Sequence, residues 1–115
     1  MKFAENVVLG SEGSLKIQGT SNNPVYVTSL KDDDIGGDTN GDGSVTWPEK
    51  GNWGHIVFLD DSLDGQNLIE HAVVRYGGYF HNYGDLFYDD CFSCEYLGAI
   101  RFDSASPTIR NSHFE

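Results

Sequence analysis

At 115 residues the chain has room for one domain with a single modest core. Its 18 acidic residues against 7 basic ones give a formal net charge of −11, so no basic patch is on hand to neutralise phosphates, which excludes nucleic acid and anionic lipid as expected partners. No apolar run approaches the roughly 18 residues of a membrane span, and no charged-then-apolar leader with a cleavage site opens the sequence, so membrane insertion is not expected.

In chain order, the β-rich runs are Lys2 to Leu9, Leu15 to Gln18, Val25 to Leu30, His55 to Leu59, Leu68 to Tyr76, Ala99 to Phe102 and Thr108 to Phe114, separated by Gly, Asn, Asp and Pro. No window carries a helical stripe, so the chain reads as all-β. Three phrases repeat a short apolar strand, a polar corner and a second strand. They run from Leu15 to Thr28, from His55 to Val74 and from Ala99 to Phe114. Aligning them predicts three inward columns: Leu15, Ile56 and Ile100; Ile17, Phe58 and Phe102; Val25, Ile69 and Ile109. Lys16, Val57 and Arg101 are expected to face solvent, and His71 and Asn111 to share a corner position. Faces that cannot be buried alone but can be buried by stacking indicate a solenoid, here a parallel β-helix of about three coils; a β-sandwich is the competing architecture. A chain of three coils that stops directly after a strand reads as a fragment or an excised module.

The connection after the third run carries the strongest motif. Asp38 to Glu49 fills each position of the twelve-residue pattern D-x-[DN]-x-[DN]-G-x5-E. Oxygen donors at the first, third and fifth positions, here Asp38, Asn40 and Asp42, converge on a hard cation when the chain turns at a glycine in the sixth, here Gly43. The Ser44 carbonyl, Thr46 and Glu49 complete the expected calcium-ligand set, and Asp32, Asp33 and Asp34 are possible additions. The Asp- and Gly-rich stretch before the loop, and Pro48 and Gly51 after it, leave no flanking helices to swing. The ion is therefore expected to be structural, pinning the connection from Lys31 to His55 and relieving repulsion among its acids. An Asp/Asn/Gly turn cluster without metal is the plainer alternative. Trp53 is expected in the core and Trp47 at the surface.

Between residues 76 and 97 lie more than half of the chain's aromatic side chains, too many for a corner. They make either a satellite core or a binding platform, in which the flat faces of Tyr79, Phe80, Tyr83, Phe87 and Tyr88 suit sugar rings. Within the segment, Cys91 and Cys94 read as a disulfide or as inert thiols; a redox dithiol is disfavoured because Asp89, Asp90 and Glu95 would raise thiol pKa values, and a zinc site because it needs two more ligands where His81 is the only nearby imidazole in sequence. Catalytic motifs are thin. Asp60, Asp61, Glu70 and Asp103 at strand ends, and Lys31, Lys50, Arg75 and Arg101 as bases, stand in no recognisable pattern.

The phrases Gly13 to Ser29, Asp32 to Gly43, Gly51 to Phe58, Val73 to Gly78 and Ser106 to Ser112 resemble the right-handed parallel β-helix repeats of large secreted or cell-surface bacterial and archaeal proteins, with an EF-hand-like (dockerin-like) calcium loop inserted. The resemblance covers most of the chain except residues 79 to 97. It implies a single calcium-stabilised module over residues 1–115, with its calcium loop at 32–49 and its aromatic insertion at 76–97. It further implies an extracellular role in adhesion or scaffolding, with polysaccharide or another surface protein as partner. Some relatives of that fold are polysaccharide lyases or glycoside hydrolases, which is the enzymatic alternative. Self-association through open coil ends is a third expectation.

Overall fold

The computed structural model describes residues 1–78 and 98–115 of the chain. Among these, ten short strands carry the fold, and the only helical element is a 3-10 turn at Asp64–Gln66. They are β1 Lys2–Phe3, β2 Leu9–Ser11, β3 Lys16–Gln18, β4 Val25–Ser29, β5 Ile56–Phe58, β6 Leu68–Glu70, β7 Ala72–Val74, β8 Ile100–Phe102, β9 Thr108–Arg110 and β10 His113–Phe114. Every ladder between them is parallel. They form three sheets, ordered β1-β4-β7-β10, β2-β5-β8 and β3-β6-β9. The chain therefore visits the three sheets in strict rotation, adding one strand to each before returning to the first.

Two of the long β-rich runs are pairs of strands joined at a corner. Leu68 to Tyr76 breaks at His71 and Thr108 to Phe114 at Asn111, where φ is 47° and 50°. Both residues follow the register pair Glu70 and Arg110, so they occupy one corner position, as their spacing predicts. Left-handed backbone at a non-glycine residue is uncommon, and Asn and His are among the types that accept it. The first sheet-to-sheet corner uses Gly19 at the equivalent position, where an added Cβ would stand 2.6 Å from the His71 carbonyl oxygen.

The interior holds Ile17, Val27, Trp53, Ile56, Phe58, Ile69, Ala72 and Val74, all nearly inaccessible. Alternation along each strand sends one set of side chains inward. In each predicted column the last two members are ladder partners: Ile56 with Ile100, Phe58 with Phe102, whose rings stack at 6.2 Å, and Ile69 with Ile109; Phe102, however, is half exposed and not inward. The first members of the columns need correction. Leu9 and Ser11 of β2 lie beside Ile56 and Phe58, while Ile17 belongs to the third sheet, beside Ile69 and Ile109. Leu15 lies outside the strands and packs against the core from the connection before β3. Val25 pairs with Ala72 in the first sheet. The repeated phrase misplaces them because Leu9–Ser11, with Gly and Ser at two of its three positions, lacks the apolar signature of a strand, so the alignment skipped one side of the first turn. Val57 is the other correction. It is buried, not solvent-facing, and its ladder neighbours are Gly10 and Arg101.

Candidate functional site

Both long connections leave the first sheet for the second: residues 30–55 between β4 and β5, and residues 75–99 between β7 and β8. Since β4 and β7 are paired neighbours, the two connections start side by side. The aromatic and cysteine candidates Tyr79, Phe80, Tyr83, Phe87, Tyr88, Cys91 and Cys94 lie outside the described residues.

The first connection folds around the carboxylate of Asp38. Its Oδ1 accepts hydrogen bonds from the backbone N–H groups of Gly41 at 2.7 Å and Asp42 at 3.1 Å, and its Oδ2 from Gly43 at 2.8 Å. Gly41 and Gly43 both take φ of 73°, a value that costs glycine nothing and lets successive N–H groups converge on one side chain. Asn40 donates from Nδ2 to Asp42 Oδ2 at 2.9 Å and to Thr46 Oγ1 at 3.1 Å, and the Thr46 hydroxyl also donates to Asp42 Oδ2. Four of the six predicted loop ligands, Asp38, Asn40, Asp42 and Thr46, are therefore tied into one network.

Asp33 joins them from the preceding stretch. One carboxylate oxygen from each of Asp33, Asp38 and Asp42 can be chosen so that all lie within 4.8 Å of one another. Asp33 and Asp38 are shifted in opposite directions, by different causes. Asp33 is raised above its ordinary pKa by desolvation and by the charges of Asp38 and Asp42. Asp38 is lowered, foremost by the Gly43 N–H and then by those of Gly41 and Asp42. The Oδ1 atoms of Asp33 and Asp42 are shielded from solvent and accept no hydrogen bond, so each has a lone pair to offer. Crowded carboxylate oxygens with unused acceptor capacity fit a hard divalent cation.

The remaining candidates are placed elsewhere. Glu49 is exposed and outside the carboxylate group; its backbone N–H donates to Asn52 Oδ1 at 2.7 Å and its carbonyl accepts from the Asn52 N–H. Ser44 and Asp34 are exposed, and Asp34 does not join the group. Asp32 turns inward. It is fully buried, with Oδ2 accepting from Thr28 Oγ1 at 2.6 Å and from Arg75 Nη1 at 3.2 Å. The sequence gives no sign of this division of labour, because Asp32, Asp33 and Asp34 are chemically identical neighbours. Trp47 is exposed at 64%, whereas Trp53 is fully buried beside Phe3, with ring centroids 5.0 Å apart.

Sequence reasoning also missed Asn67. It is buried, and its Oδ1 accepts the Leu15 N–H at 2.8 Å, holding the connection before β3 onto the start of β6. The signal available was an Asn directly before an apolar strand at a sheet corner, where a side-chain amide can replace a missing backbone partner.

No protein-family model, curated protein or solved structure matches the chain.

Proposed function

We propose that this chain is a β-helix module whose acidic connection is ordered by calcium, and that it serves as a non-catalytic element of adhesion or scaffolding outside the cell. Support for the β-helix is the strict rotation of the chain through three parallel sheets; the right hand follows from the general preference of parallel crossovers. The observation that carries the cation reading is the convergence of Asp33, Asp38 and Asp42, with two oxygens free to bind, on the loop whose residue types match a calcium pattern. Asp38, Asp42 and Asp33 would hold the ion, with Asn40 and Thr46 beside them. A bound ion neutralises the mutual repulsion of these acids and fixes the connection against β4 and β5. Glycan or another surface protein is the partner class, consistent with an acidic, rigid module.

The test is thermal unfolding of chelator-treated protein titrated with calcium. Stabilisation that grows with calcium and disappears in Asp42→Ala is the expected result. An unchanged melting temperature across the titration would reduce the loop to a turn and remove the cation from this reading.

A second reading, self-association, draws on Phe102 in β8 and Phe114 in β10, exposed at 50% and 44% on strands that, among the described residues, pair on one side only. Light scattering that rises with protein concentration, and falls for Phe102→Ser, supports it; concentration-independent monomer counts against it.

A further inference from the structure

The base of the acidic connection closes on one residue of the neighbouring strand layer, the turn of chain made by β5, β6 and β7. Arg75, directly after β7, donates its backbone N–H to the Val27 carbonyl at 2.8 Å, which fixes it beside β4. From there its side chain reaches the entry of the connection and binds Asp32 at 3.2 Å. Its carbonyl oxygen accepts the indole N–H of Trp53 at 2.7 Å, at the exit of the same connection. The guanidinium is itself held: Nη2 donates to Tyr76 Oη at 2.9 Å, Cζ stands 4.9 Å from the Tyr76 ring centroid, and Nε is 3.6 Å from Glu115 Oε1.

Asp32 is the residue immediately before Asp33, and its side chain is fully buried. Thr28 Oγ1 and Arg75 supply the hydrogen bonds to Oδ2, and Oδ1 receives none. A fully buried carboxylate with a single bonded oxygen depends heavily on its one cationic partner, because removing that partner leaves an uncompensated charge in the interior. Asp32 closes a turn directly after β4, its N–H donating to the Ser29 carbonyl at 3.1 Å, so holding its side chain inside also fixes the backbone from which Asp33 projects.

We propose that Arg75 is a positioning residue for the cation: by anchoring Asp32 inside the protein it sets the place of Asp33 beside Asp38 and Asp42, so cation affinity depends on a residue in a different strand layer. This inference rests on the cation reading above and adds to it a route of control. The layer that carries Arg75 also begins the second long connection, so any change that shifts Arg75 is felt at the cation loop.

The experiment is a double-mutant cycle read by terbium luminescence, with Tb³⁺ as the calcium surrogate and the tryptophans, including Trp47 in the loop, as sensitisers. In the wild-type background, Asp33→Asn is expected to weaken Tb³⁺ about tenfold, and Arg75→Gln by a similar factor. Together they are expected to cost little more than either alone, because both remove the contribution of Asp33. Arg75→Lys restores part of the affinity. Asp32→Asn, which removes the buried charge and so protects against misfolding, reproduces the same non-additive loss with Asp33→Asn. If the Arg75 and Asp33 losses multiply, Arg75 does not act through Asp33 and the inference is overturned. If wild-type protein shows no saturable Tb³⁺ signal, or Asp42→Ala leaves that signal intact, the failure belongs to the cation reading itself, which falls and takes the coupling with it.

Discussion

The layered strands and the acidic connection are held by opposite kinds of force. In the strands, Ile56, Phe58, Ile69, Val27 and Val74 are removed entirely from water, and their backbones are paired along parallel ladders. In the connection, Val45 and Trp47 remain exposed at 76% and 64%, and order comes from carboxylate-to-backbone hydrogen bonds around Asp38. Burial is non-directional and additive over many contacts, so the layers tolerate short and irregular strands. A polar network with crowded like charges is stable only when each charge is compensated, so the connection is the part whose order depends on solution conditions. The two meet at Asp32, Arg75 and Trp53, where a buried ion pair and an indole hydrogen bond tie the loop base to β4 and β7.

The largest break in this contrast is expected at Trp53. Truncation to alanine removes a fully buried indole, abandons the Arg75 carbonyl and leaves a cavity beside Phe3 and Gly77, whose ideal Cβ position is only 2.7 Å from the Trp53 ring. Large-to-small changes of this kind cost about 3–5 kcal/mol. Urea unfolding should show that loss in chelator and in calcium alike, since it acts on the layers.

Next in size is the cation itself. At a calcium concentration a hundredfold above its dissociation constant, binding to the native state adds about 2.7 kcal/mol. Chelation should remove that amount from wild type and nothing from Asp42→Ala. Amide exchange should localise the change to the connection while Ile69 and Val74 stay protected. Loss of protection spread evenly through β5, β6 and β7 would mean that the two regions are a single cooperative unit.

A smaller effect, confined to the acid side, is expected at His55. Burial lowers its pKa below 6.5, and the charge of Arg101 adds to the shift. The unfolded chain then takes up this proton at higher pH than the folded one. The stabilising contribution is complete above the unfolded value near 6.5 and is lost as pH falls toward the lower folded value. Urea midpoints measured between pH 7.5 and 5.5 in chelator should therefore decline, and the decline should flatten in His55→Gln. The lowered carboxyls Asp38 and Glu70 lose their contribution only at more acid pH, as the unfolded chain takes up their protons before the folded one does, which separates them from His55.

The legibility of the sequence follows the same division. Alternation and corner spacing located each strand except β2, whose Gly10 and Ser11 carry no apolar signature, and placed His71 with Asn111 at one turn. The register of the first turn was not legible, because a repeat of three-residue strands aligns almost as well after a shift by one sheet. In the loop, the ligand pattern identified Asp38, Asn40, Asp42 and Thr46 as a group, since it encodes local chain geometry. It gave no means of knowing that Asp33 joins them while Asp32 faces Arg75, because that choice is made by a residue 43 positions away. Asn67 was hidden for the same reason: its partner, the Leu15 N–H, is distant in sequence.

The smallest expected effect gives the sharpest comparison. Trp47 and Trp53 are the same residue six positions apart, and composition cannot rank them. Yet Trp47 is mostly in water, so replacing it with alanine forfeits little burial and should change stability by no more than about 0.5 kcal/mol, against several for Trp53. The result must also be insensitive to calcium, because Trp47 occupies the tenth loop position, whose side chain is not a ligand. A calcium-dependent loss in Trp47→Ala would mean that the ring packs against the strands once the ion is bound. The connection would then be stabilised by burial as well as by charge, and the contrast between the two regions would hold only for the cation-free protein.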